Sequence, residues 1–268
     1  MKIFFPFNRL KLMTTLGMAT LFTMPFHAVK ADNPSIAKHQ TISADSFTPK
    51  QQKEIIAIVR QALKDDPTIL EEAVVSVQNS RELKKQEEGT KRLNEQKEFL
   101  QQLQSTDGSM GNPNAKNVVV EFYDPRCPYC KKALSDLTTL LKEYNNVHVI
   151  LKVVPILGET SYLQAQAITA ATRQNGYVRM MNGLMKSNEE VSSMDAIKAI
   201  AKEQGLDADL LEKDMKASSI TNALKSNVEL LRSLAIDGTP AFVINGSKII
   251  PGAISHDNMV KQFQLDKK

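Results

Sequence analysis

The sequence predicts an α/β domain on the C-terminal side of the chain, preceded by an all-α extension. Three observations carry this. A β-branched run, Val118-Val119-Val120-Glu121-Phe122-Tyr123, leads into a helical pattern from Cys127 and then into a second strand, Val147 to Val154. Strand, helix, strand is the start of an α/β domain with a parallel pair. Late in the chain two short apolar runs, Ala241 to Ile244 and Lys248 to Ile250, flank Asn245-Gly246, a strong hairpin signal. Residues 47–106, by contrast, read as helix alone.

At the N-terminus Lys2, Arg9 and Lys11 precede an apolar run from Leu12 to Phe26. The run falls short of the ~20 residues a membrane-spanning helix needs. Val29-Lys30-Ala31 follows, with small residues where a signal peptidase reads, so residues 1–31 are read as a secretory signal peptide. An uncleaved anchor is the alternative. No cysteine follows the run, which argues against a lipid-modified N-terminus. Four of the 34 basic side chains lie in this segment and none of the 30 acidic ones, so the mature chain carries 30 of each. A formally neutral chain offers no electrostatic footprint for nucleic acid.

Residues 32–46 are polar and aperiodic, a flexible leader. Thr48-Pro49-Lys50-Gln51 places a proline at the first helical position and a glutamine to complete a capping box. Ile55, Ile56, Val59 and Leu63 share one face of the helix that follows. Asp66-Pro67 starts another, uninterrupted to about Gln104, with apolar stripes at its ends (Ile69, Leu70, Ala73, Val74 and Val77; then Phe99, Leu100 and Leu103) and polar residues between. Roughly 38 residues at ~1.5 Å each run nearly 57 Å, longer than a small domain is wide. An oligomerisation stalk is the preferred reading, because residues 47–80 are too few to enclose a core of their own. A helix folded back over the main domain is the alternative.

Thr106 to Asn117 is a loop by composition. After the first strand the leucines at 134, 137 and 141 keep one helix face. From about Thr160 to Leu234 the pattern is helical throughout, with Gly176 and Gly205 as C-caps. Met180, Met181, Met185 and Met194 either fill its core or line a substrate surface. A last short helix includes Met259, Val260 and Phe263.

Both cysteines of the chain, Cys127 and Cys130, stand in Asp124-Pro125-Arg126-Cys127-Pro128-Tyr129-Cys130. At the N-terminus of a helix the unpaired amides and the helix dipole favour the thiolate of the first cysteine, and Arg126, Lys131 and Lys132 add positive potential. Cys127 is then the exposed attacking sulfur and Cys130, one turn inward, the resolving one. Zinc needs further ligands, and His39, His148 and His256 are isolated from one another. A copper(I) carrier would use the same soft thiolates, but no Met-x-x-Met or His cluster flanks them. An inert disulfide is the remaining alternative. The redox-active pair is preferred, because C-x-x-C beside a βαβ pattern reads as thioredoxin-like.

The stretch Val119 to Lys131, followed by Gly238-Thr239-Pro240-Ala241-Phe242-Val243-Ile244-Asn245-Gly246, resembles the DsbA-like thiol:disulfide oxidoreductases of the bacterial periplasm. The closest likeness is to the subgroup with an N-terminal helical extension, which includes ScsC-type proteins and outer-membrane antigens. The resemblance covers residues 107–268 well and the extension loosely. It implies a thioredoxin fold with a helical domain inserted at about 157–222, preceded by the oligomerisation region at 47–106. It implies that Cys127 is the nucleophile, Cys130 the resolving cysteine and Pro240 a cis-proline, with Thr239 before it, whose neighbours' backbone groups pair with an extended substrate. Glu121 matches the acidic residue of this family, a buried carboxylate relaying protons to Cys130, the alternative being a solvent-reaching edge position. Tyr129 stands where DsbA has histidine and borders the substrate, which implies a less oxidising pair. Thr239 is the residue seen in the isomerase DsbC. The resemblance further implies a periplasmic location, with outer-membrane association possible for this subgroup. It implies no cofactor beyond the Cys127–Cys130 disulfide, exported cysteine-containing proteins as substrates, a membrane redox partner of the DsbB or DsbD type, and a homo-oligomer, dimer or trimer.

Overall fold

The computed structural model describes residues 46–187 and 191–265, and the chain divides into two compact units at Asp65–Asp66. The signal peptide and nearly all of the leader lie outside the described residues. No helix among the described residues is long and apolar enough to cross a membrane.

In the first unit α1 (Pro49–Asp65) opens with the anticipated capping box. The Thr48 amide donates to Gln51 Oε1 at 2.9 Å, and the Gln51 amide to Thr48 Oγ1 at 3.4 Å. The helix buries none of its side chains, Ile55, Ile56, Val59 and Leu63 included.

The second unit opens with α2 (Thr68–Glu95), whose first amides find Asp66: Thr68 N donates to Asp66 Oδ1 at 3.1 Å. The single long helix read from the sequence is in fact broken at Gln96, and a short α3 (Lys97–Leu100) follows. The break turns Leu100 into the core, where it is fully buried beside Leu93. That tertiary demand leaves no local mark in a polar, proline-free stretch.

A five-stranded sheet has the order β1-β3-β2-β4-β5: β1 (Gly108–Gly111), β2 (Asn117–Tyr123), β3 (Val147–Val153), β4 (Ala241–Ile244) and β5 (Lys248–Pro251). Only β2 and β3 pair in parallel, across the crossover helix α4 (Pro128–Glu143). β1 falls within the stretch read as a loop. Glycine and serine give it almost no strand propensity, and it is held at the edge by antiparallel pairing with β3. Asn245 and Gly246 both have positive φ, as a tight hairpin turn of this kind requires.

Between β3 and β4 lies the helical insertion: α5 (Glu159–Ala170), α6 (Tyr177–Lys186), α7 (Met194–Glu203) and α8 (Ala208–Met215), with α9 (Ser218–Ser233) returning to the sheet and α10 (His256–Gln262) closing the chain. Gly205 follows α7 at φ +68°, as expected of a C-cap. Gly176 is not one. The left-handed residue there is Asn175, which tolerates that conformation, and Gly176 opens α6. Met180, Met181 and Met185 are buried in the core, and Met194, half-buried, packs against it, so the first three line no open surface.

Alternation along β2 separates two cores. Val119 and Tyr123 join α4, the insertion and α10, whereas Val120 and Phe122 join Leu93, Leu100, Leu231 and Leu234. The C-terminal part of α2 thus belongs to the sheet's packing, while Leu70, Val74 and Val77 near its start are exposed. On that second side Lys152 of β3 is buried with Asp107, Nζ to Oδ2 at 2.7 Å, and lies over the Phe99 ring. The pair clasps the end of the helical extension to the sheet.

Gly89 is the point of closest approach between α2 and the loop after α9. A Cβ there would stand 2.7 Å from Ala235 Cβ and 2.8 Å from the Leu234 carbonyl oxygen. Helix propensity alone favours Gly89→Ala by about 1 kcal/mol, but forcing a methyl into a packed contact costs about 1–3 kcal/mol. Gly89→Ala is therefore expected to lower the urea midpoint, and a raised midpoint would contradict the contact.

Candidate active site

The end of β2 runs into a turn built around Asp124, which is fully buried. Its Oδ1 accepts from the Arg126 amide at 2.8 Å. Its Oδ2 accepts from the amides of Ile156 at 2.8 Å and Leu157 at 3.1 Å and from the Ser161 hydroxyl at 2.5 Å. The Asp124 carbonyl takes the Cys127 amide at 3.1 Å. This folds Asp124-Pro125-Arg126 into the corner that delivers Cys127 to the N-cap of α4, with Pro128 in its first turn. The Cys127 carbonyl accepts from the amides of Cys130 and Lys131, each at 3.1 Å. The role of Asp124 was not read from the sequence. Asp-Pro after a strand announces a turn, but nothing local shows that the chain leaving β3, 32 residues later, supplies donors.

Both thiols are free. Cys130 is 0% exposed and Cys127 only 5%, so the attacking sulfur is not the open group expected. The loop carrying Thr239 and Pro240 covers it: the Thr239–Pro240 peptide is cis, and the Cys127 thiol donates to the Thr239 carbonyl at 3.3 Å. Cys127 is still the outer sulfur of the two. Pro240 is buried and Thr239 half-buried. The Pro240 carbonyl is engaged by the Gly252 amide at 2.9 Å, so the two carbonyls of this dipeptide already have partners. Among the described residues the amides of Gly238 and Thr239 have none. Tyr129 stands 66% exposed between the cysteines. Arg126, Lys131 and Lys132 are exposed nearby, and Lys132 is paired with Asp136 at 2.8 Å, which offsets its field.

Glu121 sits in the central strand between Leu151 and Phe242 and is 2% exposed, so the edge position is excluded. Burial without a compensating charge raises its carboxyl from 4.5 to about 8. Burial also pushes the Cys130 thiol up, and the charges of Glu121 and Cys127 add to this, against hydrogen bonds from the Asp124 backbone and Thr239. Two buried tyrosines complete this side. Tyr123 OH donates to Tyr177 OH at 2.8 Å, and Tyr177 OH to the Leu151 carbonyl at 3.1 Å. Burial raises both phenols, and the Glu121 charge contributes to each. Tyr177 comes from the insertion, a contact no sequence pattern announces.

The histidines are not brought to the cysteines: His148 bonds Ser109 at 2.7 Å, His256 faces Glu143 at 3.2 Å, and His39 lies outside the described residues. Among the described residues no group of three or more His, Cys, Asp or Glu is placed to hold a metal ion.

A family model described as thioredoxin matches residues 103–264. A probable disulfide bond formation protein D of Bacillus cereus is 27% identical over 176 residues, 61% of this chain and 80% of the relative. The chain also matches an Na(+)/H(+) antiporter of Salinispora tropica at 27% identity, but spans only 22% of that protein's length. Among solved structures, Proteus mirabilis ScsC in a transitional conformation is 30% identical with a TM-score of 0.58, covering 82% of this chain and 98% of that one. The match to the family model takes in the whole sheet, both cysteines and the cis-proline loop, and the chain belongs to the thioredoxin family.

Proposed function

We propose that the Cys127–Cys130 pair forms and isomerises disulfides in exported proteins. The observation that carries this reading is the pair at the start of α4 closed over by the Thr239–Pro240 loop, with the Cys127 thiol on the Thr239 carbonyl. The protein is a thiol:disulfide oxidoreductase. In the oxidising direction a substrate thiolate attacks Cys127 Sγ, the Cys127–Cys130 bond breaks, and Cys130 leaves with the electron pair. A second substrate thiolate then attacks the substrate sulfur of the mixed disulfide and releases Cys127, so the substrate gains a disulfide and the enzyme becomes a dithiol. In isomerisation the reduced Cys127 attacks a substrate disulfide and forms a mixed disulfide. The released substrate thiolate attacks another disulfide of the same substrate, and the thiolate freed there attacks the substrate sulfur bound to Cys127, which leaves as the thiolate again. Glu121 serves the inner cysteine. A buried thiolate at Cys130 is a poor leaving group, and a neutral carboxyl beside it supplies the proton, which it takes back when Cys130 must attack.

The helical extension makes the protein an oligomer in this reading. α1 buries no side chain, and Leu70, Val74 and Val77 stay exposed on α2. A second copy of the chain, in a dimer or trimer, covers them. Several cysteine pairs facing one substrate raise the effective concentration of catalytic sites, as reshuffling requires. The location is the periplasm, with the Cys127–Cys130 disulfide as the sole redox group and a membrane partner of the DsbB or DsbD type resetting it.

Cys130→Ala is expected to accumulate mixed disulfides with substrate proteins and Cys127→Ala none, seen as reductant-sensitive bands on gels. Equal trapping by both would overturn the assignment of roles.

Glu121 gives a pH signature. Folded, it keeps its proton to about pH 8, and unfolded it loses it near 4.5. The stability this confers is complete below the unfolded value and is lost as pH rises through the folded one, at about 1.4 kcal/mol per pH unit within that window. Glu121→Gln cannot ionise, so urea unfolding should show it gaining on the parent steadily from pH 5 to 8. Parallel curves would contradict the buried neutral carboxyl.

Replacing Leu70, Val74 and Val77 by serine should convert an oligomer to a monomer by sedimentation. The monomer should still oxidise reduced substrate yet lose most reactivation of scrambled ribonuclease. A parent protein that sediments as a monomer would sink the stalk.

A further inference from the structure

A groove of about 690 Å³ opens on the side of the sheet where Leu93 and Leu234 pack. One wall is α2, through Glu82, Gln86 and Thr90, and the opposite wall is β5, through Ile249 and Pro251. The loop 234–240, ending in Thr239 and Pro240, runs along it. α2 is fixed to this loop. Gly89 packs directly on Leu234 and Ala235, and Lys85 holds both carboxylate oxygens of Asp237.

Three features say what the groove takes. It is continuous with the catalytic centre, because Thr239 lines it and also holds the Cys127 thiol at 3.3 Å. A substrate sulfur reaching Cys127 must lay its neighbouring residues across Thr239 and Pro240, and one direction along that path leads into the groove. β5 is the last strand of the sheet, and an edge strand offers backbone donors and acceptors to an extended chain. The lining is apolar at Leu93, Ile236 and Ile249 and polar along α2, at Gln86 and Thr90. A pocket of ~300–1,000 Å³ buries most of a small ligand, so this one has room for a few residues of mixed polarity.

We infer that this groove is a polypeptide-holding subsite, which binds the extended segment flanking the reacting cysteine of an unfolded substrate. The inference rests on the thiol:disulfide reading above and adds to it. The stalk helix forms part of the substrate site of its own chain, besides linking copies.

Photo-crosslinking in the full-length Cys130→Ala protein tests this. p-Benzoylphenylalanine is placed at Gln86 or, as a control, at Glu71 on the exposed start of α2. Scrambled ribonuclease is the probe. Cys127 attacks one of its disulfides, a Cys127–substrate disulfide forms and one substrate thiol is released. The sample is irradiated, reduced and mapped by mass spectrometry. The groove predicts substrate crosslinks from position 86 at several times the yield from position 71. They should lie within about six residues of the trapped cysteine, since an extended chain covers ~3.3 Å per residue. A mixed disulfide without crosslinks from position 86, or crosslinks from it to this chain or another copy instead of substrate, would overturn the subsite and leave the oxidoreductase standing. If no mixed disulfide forms, both fail.

Discussion

Four hydrogen bonds converge on the buried carboxylate of Asp124, from the amides of Arg126, Ile156 and Leu157 and from the Ser161 hydroxyl. A polar group buried without partners costs about 1–3 kcal/mol for each bond left unmade, so a carboxyl in the interior needs partners of this kind. Two of the donors lie in the chain leaving β3 and one in α5. The corner that aims Cys127 is therefore tied to the point where the helical insertion begins. The position of the cysteine pair, the start of α4 and the departure of the insertion all depend on this one group.

From that corner the two cysteines acquire unlike surroundings. Cys127 caps the helix and touches the loop that a substrate must cross, whereas Cys130 lies on the inner turn among apolar side chains beside Glu121. The insertion reaches this same side of the sheet through Tyr177, which joins Tyr123 and the Leu151 carbonyl. α2 reaches the opposite side through Gly89, Leu93 and the Lys85–Asp237 pair. Elements added to the five-stranded core thus brace both flanks of the cis-proline loop and the cysteine corner.

What the sequence disclosed follows from which forces are local. Short β-branched and apolar runs, the Asn245-Gly246 turn, the Thr48–Gln51 capping box and the helix face of Leu134 and Leu137 are near-neighbour patterns, and they returned β2, β3, the hairpin, α1 and α4. The Cys-x-x-Cys spacing and the Gly-Thr-Pro stretch supplied the site residues by resemblance. The misses are tertiary. β1 is a strand because β3 offers it an edge, and α2 breaks because Leu100 has a core to enter. Cys127 is covered by a loop 112 residues away. Asp124 and Tyr177 owe their roles to partners that only the fold brings near.

The equilibrium of Cys127 and Cys130 with glutathione separates an exchanging pair from a structural staple. Structural disulfides lie below about −300 mV, while catalysts of exchange run from about −270 mV for thioredoxin to about −120 mV for DsbA. A reversible Cys127–Cys130 disulfide is expected within that catalytic span and more reducing than DsbA, because Tyr129 brings no positive charge to the pair. A potential below about −300 mV, or a pair that forms no disulfide with glutathione, would contradict it.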